Sequence, residues 1–286
     1  MSKILIAAVQ LTSGPNVNKN LAVAEKLICK ATKSGAKLIL LPELFCGLFP
    51  PSNKPKEVEI AEKYLDYSNS PIQSFLRQTA IKNQIWLAAG SIPLVGKTKN
   101  KVRNSLLIFN PQGDCICRYD KIHLFKFEDI DENKLFEAGN RISHLSIKIN
   151  NLTINICPSI CYDLRFPELY RFVGKKFARA GSRGIDIILM PVAFTYKTGK
   201  AHWRKLLQAR AIENQCYVLA AAQSGKHLAA GKVFRKTYGN SMIVNPWGKI
   251  VAKIKEGEGI VISQFDPIYI KQLRHQLPAL EHQKII

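Results

Sequence analysis

The stretch Cys157-Pro-Ser-Ile-Cys-Tyr-Asp-Leu-Arg-Phe-Pro-Glu-Leu-Tyr-Arg171 decides the fold that we predict for this chain. It continues a run of β-forming residues at 152–157 and leads into a segment with helical periodicity at 167–180. Cys161 therefore lies just past a strand end, at the edge where α/β sheets carry their sites. A thiol there predicts a nucleophile, provided that other residues accept its proton and stabilise charge on the attacked group.

The composition indicates an ordinary globular protein. Of its 286 residues, 47% are hydrophobic and 22% are charged. No apolar run approaches the roughly 20 residues that a membrane span requires, and residues 4–9 are too few for a signal-peptide core. No linker, repeat or low-complexity segment divides the chain. We predict a single cytoplasmic domain over residues 1–286, with a core at about 4–265 and a C-terminal tail at 266–286.

The cysteine pattern favours reduced thiols. The chain has seven cysteines, and an odd number without an export signal argues against a disulfide framework. The spacing of Cys115 and Cys117, or of Cys157 and Cys161, is not that of paired zinc ligands. We therefore expect no metal site.

The formal charge of +21 is the unusual feature of the composition. Such a field favours anionic partners, either a nucleic acid or a carboxylate-bearing metabolite. Two basic clusters could serve a nucleic-acid-binding protein, whose affinity would fall steeply with salt: Lys97, Lys99, Lys101 and Arg103, and Lys175, Lys176, Arg179 and Arg183. Because no RNA- or DNA-binding motif accompanies them, we favour a solvated basic surface and do not expect nucleic acid as the partner.

Three chemically matched residues each follow an apolar strand: Glu43, Lys121 and Cys161. If the strands lie in one sheet, these side chains converge at one edge. Glu43, in a partly apolar setting, would have a raised pKa and accept the thiol proton. Lys121 and the Tyr162 backbone N–H would face the oxyanion.

Each of these residues also has a simpler interpretation. A lone Glu or Lys at a strand end is usually a surface residue, and a lone Cys is often a small core residue. His123 and His202 keep a Cys–His protease as a weaker alternative.

Beyond single residues, the sequence resembles the nitrilase superfamily of carbon–nitrogen hydrolases. The resemblance rests on three blocks in order, Leu41-Pro-Glu-Leu-Phe45, Tyr119-Asp-Lys-Ile-His-Leu-Phe125 and Ile160-Cys-Tyr-Asp-Leu-Arg-Phe-Pro-Glu-Leu169. Downstream segments such as Asn245-Pro-Trp-Gly248 extend it over essentially residues 4–265. The resemblance implies an α/β fold built as a four-layer α-β-β-α sandwich. It also implies a homodimer or higher homo-oligomer, formed through the helices near the nucleophile.

The resemblance assigns catalytic roles to four residues. Glu43 becomes the general base and acid, Lys121 the oxyanion support and Cys161 the nucleophile. A second glutamate orients the lysine, and the segment Glu132-Asn-Lys-Leu-Phe-Glu-Ala-Gly139 favours Glu132 over Glu128 for this role. The implied enzyme is a cysteine-dependent amidohydrolase that cleaves a non-peptide amide bond through a thioester and releases ammonia. Neither a metal nor an organic cofactor takes part in this mechanism.

Within the superfamily, residues 209–217, 220–223, Gly225 and His227 are most similar to the deaminated glutathione amidase branch. The ω-amidases of 2-oxo acid amides are the alternative, and both branches act on small anionic amides. One departure from the first branch is Asn240, which replaces a common histidine, and another is an apparent insertion at 182–183.

The expected substrate-binding residues are Arg165, Tyr162, Phe194 and Thr195. Arg165 is the natural carboxylate clamp because its guanidinium is planar and bidentate. Its alternative is a structural ion pair with Glu168 or Asp163. Phe194 and Thr195 follow the strand predicted at 185–191, and core packing is the alternative for Phe194.

Overall fold

A computed structural model describes residues 4–181 and 184–284 of the chain. The apparent insertion at 182–183, and with it Arg183 of the second basic cluster, lies outside the described residues. The first half of the chain contains, in order, β1 (Ile4–Gln10), α1 (Val17–Lys33), β2 (Ala36–Leu40), α2 (Lys56–Glu59), α3 (Pro71–Asn83), β3 (Trp86–Ala88), β4 (Ile92–Val95), β5 (Val102–Phe109), β6 (Cys115–Asp120), β7 (Lys126–Phe127), β8 (Ile130–Asp131) and a 3₁₀ turn (Glu132–Lys134).

The second half begins with two strands and the central stretch, which forms a 3₁₀ turn (Cys161–Arg165). Its elements are β9 (Leu145–Ile149), β10 (Leu152–Pro158), α4 (Pro167–Arg179), β11 (Ile187–Val192), α5 (Tyr196–Asn214), β12 (Tyr217–Ala222), β13 (Ser224–Ala229), β14 (Lys232–Tyr238), β15 (Met242–Val244), β16 (Ile250–Lys253), β17 (Gly259–Phe265) and α6 (Pro267–Gln276). Among the described residues, no helix has the length and apolar character that crossing a membrane requires.

Two mixed sheets of similar design form the centre of the fold. The first has the strand order β17-β1-β2-β3-β5-β4, with β6 paired to β5, and the second has the order β16-β15-β12-β11-β10-β9. In each sheet three parallel strands lie between antiparallel ones: β1, β2 and β3 in the first, and β10, β11 and β12 in the second. Parallel strands buried on both faces require a covering layer on each side.

The alternation of side chains along β1 shows how the layers are built. Ile6 and Ala8 belong to the core shared with the second sheet, whereas Ala7 and Val9 pack in a separate core with α1 and α3. Since successive strand residues point to opposite faces, the first sheet lies between the second sheet and these helices. Helices α4 and α5 join the core of the second sheet through Tyr170 and Trp203, among others. The four-layer α-β-β-α sandwich is therefore confirmed.

Local chemistry explains why α1 begins and ends where it does. The Asn16 side chain caps its N-terminus by accepting a 3.0 Å hydrogen bond from the backbone N–H of Lys19. The helix buries Ala24, Ile28 and Ala31 on one face. Gly35, at φ +91°, takes the chain out of the helix in a conformation that glycine adopts without strain.

Two segments differ from the sequence prediction. The glycines and lysines of the segment at 224–236 predict a loop, but this segment lies in the hairpin of β13 and β14. Its turn residues Ala230 and Gly231 have φ values of +48° and +76°, a combination typical of a two-residue hairpin turn. The hairpin went unrecognised because its residues are mostly polar, so the alternation that identifies a half-buried strand is absent. The segment set apart as a C-terminal tail contains helix α6.

Candidate active site

Both sheets contribute to the site, so the condition that all three strands lie in one sheet is not met. Glu43 follows β2 and Lys121 follows β6, and these strands belong to the first sheet. Cys161 follows β10 of the second sheet. Because the sheets lie face to face, residues from both strand ends meet between the layers, and Glu43, Lys121 and Cys161 are all buried.

Lys121 is the centre of the polar cluster. Its ammonium group donates to Glu43 Oε1 at 2.9 Å and to Glu132 Oε1 at 2.9 Å, and it lies 2.8 Å from Glu132 Oε2. An ammonium has three donors, so two carboxylates leave one N–H for a further acceptor. Of the two glutamates considered for this place, Glu132 contacts the lysine, whereas Glu128 pairs with Lys197 at the surface.

Glu43 is fixed by two groups that the sequence analysis did not identify. Its Oε1 accepts a 2.9 Å hydrogen bond from Asn104 Nδ2, and its Oε2 accepts one of 2.8 Å from the backbone N–H of Ala193. Asn104 lies on β5 and Ala193 just past β11, so both depend on long-range pairing that no local sequence signal reports. The Cys161 thiol is close enough to the Glu43 carboxylate for each group to shift the pKa of the other.

Cys161 lies in a strained backbone conformation at the start of its 3₁₀ turn. Its φ of +48° is rare for a residue with a side chain, and such strain concentrates at functional sites. The side chain is 7% exposed. The predicted sharp turn after the strand is therefore present, and it directs the thiol towards the carboxylate of the first sheet.

Asp163 holds this turn in place, although the sequence analysis considered it only as a partner for Arg165. Its carboxylate is fully buried and accepts hydrogen bonds from the Tyr119 hydroxyl at 2.7 Å and the Ile160 backbone N–H at 2.9 Å. His123 Nδ1 lies 2.7 Å from the same carboxylate. Because Tyr119 lies in β6, two residues before Lys121, and Ile160 precedes Cys161, Asp163 connects the lysine segment to the cysteine segment.

The pKa of Glu43 is lowered, so the raised pKa predicted from the sequence is wrong. Burial alone raises the pKa of this carboxyl, but the charge and hydrogen bond of Lys121 outweigh burial and hold it below its ordinary value. Burial and the Glu43 charge raise the pKa of Glu132 in spite of Lys121. Burial opposes the charge on Lys121, yet Glu132 and Glu43 together raise its pKa. The cluster therefore has an ionised Glu43 beside a charged lysine.

Cys161 should remain a protonated thiol at neutral pH when no substrate is bound. Burial and the negative charge of Glu43 raise its pKa well above the ordinary 9.0, against the opposing effect of Lys121. The measurement is the ultraviolet absorbance of the thiolate in a pH titration, taken as the difference between the native protein and Cys161→Ser. This difference should show no Cys161 thiolate below pH 9.0. A thiolate band near neutral pH would instead indicate the preformed ion pair of a Cys–His enzyme.

The histidine alternative gains no geometric support. The His123 ring is stacked on Phe166 at a centroid distance of 3.7 Å and faces Asp163, and His202 Nδ1 lies 3.2 Å from Arg165 Nη2. Neither ring forms a hydrogen bond with Cys161 within the described part of the chain, whereas the charge of Glu43 acts on the thiol and raises its pKa.

A narrow cavity above Cys161 brings the predicted substrate-binding residues together. It is lined by Phe125, Glu132, Cys161, Tyr162, Arg165, Ala193, Phe194, Thr195, Thr198 and Arg235. The Arg165 guanidinium lies 5.7 Å from the ring centre of Tyr162 and 5.6 Å from that of Phe194. Phe194 also packs on Trp203 at 5.2 Å, so it serves the core as well as the cavity wall.

Arg165 does not form the structural ion pairs that were its alternative. Asp163 is occupied by Tyr119 and His123, and among the described residues no carboxylate lies within ion-pair distance of the Arg165 guanidinium. Its charge is therefore available to a ligand. Asn240, the departure from the expected histidine, lies outside this cavity lining and accepts a 2.8 Å hydrogen bond from the Trp203 indole through its backbone carbonyl.

The first basic cluster proposed for nucleic acid is not a continuous free surface. Arg103 is buried and pairs with Glu137 and Asp120, and the Lys101 ammonium donates to the Asn133 carbonyl at 2.8 Å. In the second cluster, Lys176 lies 5.2 Å from the ring centre of Phe172. These contacts neutralise the charge of Arg103 and hold the ammonium of Lys101. The first cluster therefore offers fewer free cations to a nucleic acid than its sequence suggests.

Comparison with known proteins indicates the same class of enzyme as the geometry of the site. The model of the carbon-nitrogen hydrolase family matches residues 5–275. A deaminated glutathione amidase from Synechocystis sp. is 38% identical over 290 residues and covers 100% of both chains. The Rattus norvegicus protein of the same name is 34% identical, with 98% of this chain and 82% of that protein covered.

Two solved structures share the fold at substantial sequence identity. The C. elegans NitFhit protein superposes with a TM-score of 0.84 at 33% identity, covering 99% of this chain and 66% of its own. Saccharomyces cerevisiae Nit3, described as a member of branch 10 of the nitrilase superfamily, gives 0.82 at 32% identity over 96% of this chain and 94% of its own. The chain therefore belongs to the carbon–nitrogen hydrolase family and is a hydrolase of amide carbon–nitrogen bonds other than peptide bonds.

Proposed function

We propose that the enzyme hydrolyses a small anionic amide through a thioester on Cys161, and that deaminated glutathione is its substrate. The observation that carries this proposal is the buried cluster of Cys161, Glu43, Lys121 and Glu132 beside a cavity in which Arg165 has no carboxylate partner among the described residues. The cluster supplies a nucleophile, a base and a cation at one place, and Arg165 supplies a site for the anionic group.

The first half of the reaction forms the thioester. Cys161 Sγ attacks the amide carbon while Glu43 accepts the thiol proton; its lowered pKa keeps the carboxylate ionised, and so able to accept a proton, at neutral pH. The carbonyl oxygen becomes an oxyanion facing the free N–H of Lys121 and the backbone N–H of Tyr162. Glu43 then delivers its proton to the leaving nitrogen, the carbon–nitrogen bond breaks, and the thioester remains.

The second half releases the acid. Glu43, again ionised, accepts a proton from a water molecule that attacks the thioester carbon. Collapse of this second intermediate breaks the carbon–sulfur bond, returns the proton to sulfur and frees the carboxylic acid product. Glu132 keeps Lys121 oriented in both steps and helps to neutralise its charge.

The choice of substrate rests on the named relatives and on the charge of the cavity. Deaminated glutathione carries carboxylates and has no primary amide. Its hydrolysis therefore releases a peptide amine, so the ammonia predicted from the sequence would not be the product with this substrate. Primary amides of 2-oxo acids, the ω-amidase alternative, would release ammonia. Arg165 suits either substrate class, and the sequence similarity to deaminated glutathione amidases favours the first.

The assembly and cellular role belong to the same proposal. We infer that the enzyme is a cytoplasmic homodimer. We place the dimer contact on helices α4 and α5, because α4 exposes the apolar residue Phe172 and α5 exposes Ile212. An enzyme that removes a deaminated metabolite would serve metabolite repair. Light scattering of the purified protein should give twice the chain mass, and a monomer would contradict the homodimer.

A substrate comparison tests the proposed function. Purified protein is offered deaminated glutathione, 2-oxoglutaramate and neutral butyramide, and release of the free acid from each is followed. We expect the highest kcat/KM with deaminated glutathione and the lowest with butyramide. A higher value with 2-oxoglutaramate would assign the enzyme to the ω-amidases, and no hydrolysis of any amide would contradict the proposal.

A further inference from the structure

Arg235 is a residue of the cavity that sequence analysis did not single out. It lies on β14, in the segment expected as a loop, and lines the cavity with Cys161 and Arg165. Thr237, on the same side of this strand, bridges to Thr195 and so holds the hairpin against the start of α5. The hairpin thus carries a half-buried guanidinium to the site from a distant part of the chain.

The hydrogen bonds of Arg235 leave much of its guanidinium unused. Its Nη2 donates to the Ala193 carbonyl at 2.9 Å. Its Nε is buried and has no hydrogen-bond partner among the described residues. A guanidinium has five N–H donors and cannot lose its charge. Besides the buried Nε–H and the one N–H that binds the Ala193 carbonyl, three Nη N–H groups remain for a ligand.

The charges around the cavity do not provide that partner. Glu43 and Glu132 are both engaged by Lys121, and within the described part of the chain no carboxylate lies within ion-pair distance of Arg235. Arg165 likewise has no described carboxylate within ion-pair distance, and its contacts are with His202 and Tyr162. Three cations therefore face two carboxylates while the thiol is neutral, and one further negative charge would balance the cavity.

We propose that Arg235 is a second carboxylate-binding residue of the cavity, acting with Arg165 on substrates whose acyl portion carries a carboxylate. This inference rests on the proposed function, because it concerns the substrate of the same site. The bond to the Ala193 carbonyl orients the guanidinium, and its remaining N–H groups face the ligand. The Ala193 N–H in turn donates to Glu43, so the group that binds the anion is linked to the general base through the backbone of one residue.

Alkylation of Cys161 tests the proposal without requiring turnover. Iodoacetate and iodoacetamide differ by one negative charge at almost constant size, and their reaction at Cys161 can be followed by peptide-resolved mass spectrometry. In the native protein, iodoacetate should react faster relative to iodoacetamide than it does with a free thiol. Arg235→Gln should lower this ratio by roughly 10- to 100-fold, the effect of one hydrogen bond to a charged group.

A matched control distinguishes the effect of a positive charge inside the cavity from that of the overall positive charge of the protein. Lys232 lies on the same strand and is exposed, so Lys232→Gln removes the same charge outside the cavity and should leave the ratio within about twofold. Arg235→Lys, which retains the charge but loses the planar fork, should fall between the native protein and Arg235→Gln. An unchanged ratio in Arg235→Gln, or an equal fall in Lys232→Gln, would overturn the proposal.

Steady-state kinetics distinguish a failure of the Arg235 proposal from a failure of the proposed function. If Arg235 only positioned the Ala193 peptide, Arg235→Gln would slow an anionic amide and neutral butyramide equally, which would contradict carboxylate binding. We expect kcat/KM to fall at least tenfold more for the anionic amide. If the native enzyme itself shows no preference for anionic amides, the proposed function fails, whatever the result for the variant.

Discussion

Cys161→Ala is expected to abolish amide hydrolysis. Without the sulfur no thioester can form, and the remaining cation and base act only on a water molecule that the site does not position for direct attack on the amide. We expect kcat to fall by at least about 10⁴-fold. The measurement is product release under saturating substrate, with circular dichroism to show that the variant is folded.

Cys157→Ala is the matched control for this result. Cys157 is fully buried within β10, only four residues from the nucleophile. Removing its sulfur leaves a small cavity that costs about 1–2 kcal/mol of stability but touches none of the proposed catalytic groups. Most of the activity should remain. An equal loss in both variants would mean that the wrong thiol has been assigned.

Glu43→Gln should produce the second-largest loss, about 10²- to 10⁴-fold in kcat/KM. The amide matches the carboxylate in size but cannot accept the thiol proton. In the native enzyme, falling pH protonates Glu43 and removes the base, so activity is lost on the acid side. Because the pKa of Glu43 is held below its ordinary value of 4.5, this acid limb should lie below that pH.

A pH–rate profile checks the assignment of the base. Glu43→Gln should lack the acid limb, whereas Glu128→Gln, which removes an exposed carboxylate paired with Lys197, should keep both the limb and the rate. A native acid limb centred near neutral pH would contradict Glu43 as the base and would favour a group with the titration range of histidine.

Local signals in the sequence were sufficient to single out Glu43, Lys121 and Cys161, whereas the four layers and Glu132 were predicted from the resemblance to the superfamily. Apolar runs that end in Glu43, Lys121 and Cys161 place each residue at a strand end, and the surrounding motifs indicate the superfamily. The relation of the strands to one another is not local. The three strands do not share one sheet, yet the residues meet, since β10 belongs to the sheet that faces β2 and β6.

Electrostatic detail and long-range contacts could not be predicted in the same way. The direction of the Glu43 pKa depends on a 2.9 Å contact with Lys121, which only the folded chain provides. Asp163 was visible in the central stretch, but its role requires Tyr119 and His123 to come to it. Arg235 gave no signal because its strand has polar residues on both faces, and a lysine-rich segment resembles a solvated loop.

The most direct test of the central claim is to capture the covalent intermediate. Turnover of an anionic amide is stopped with acid, which preserves thioesters, and the digested protein is analysed by mass spectrometry. The account predicts that the peptide containing Cys161 carries the mass of the acyl group, and that Cys161→Ala carries none. Acylation of another residue, or rapid turnover with an unmodified Cys161 peptide at every sampled time, would contradict it.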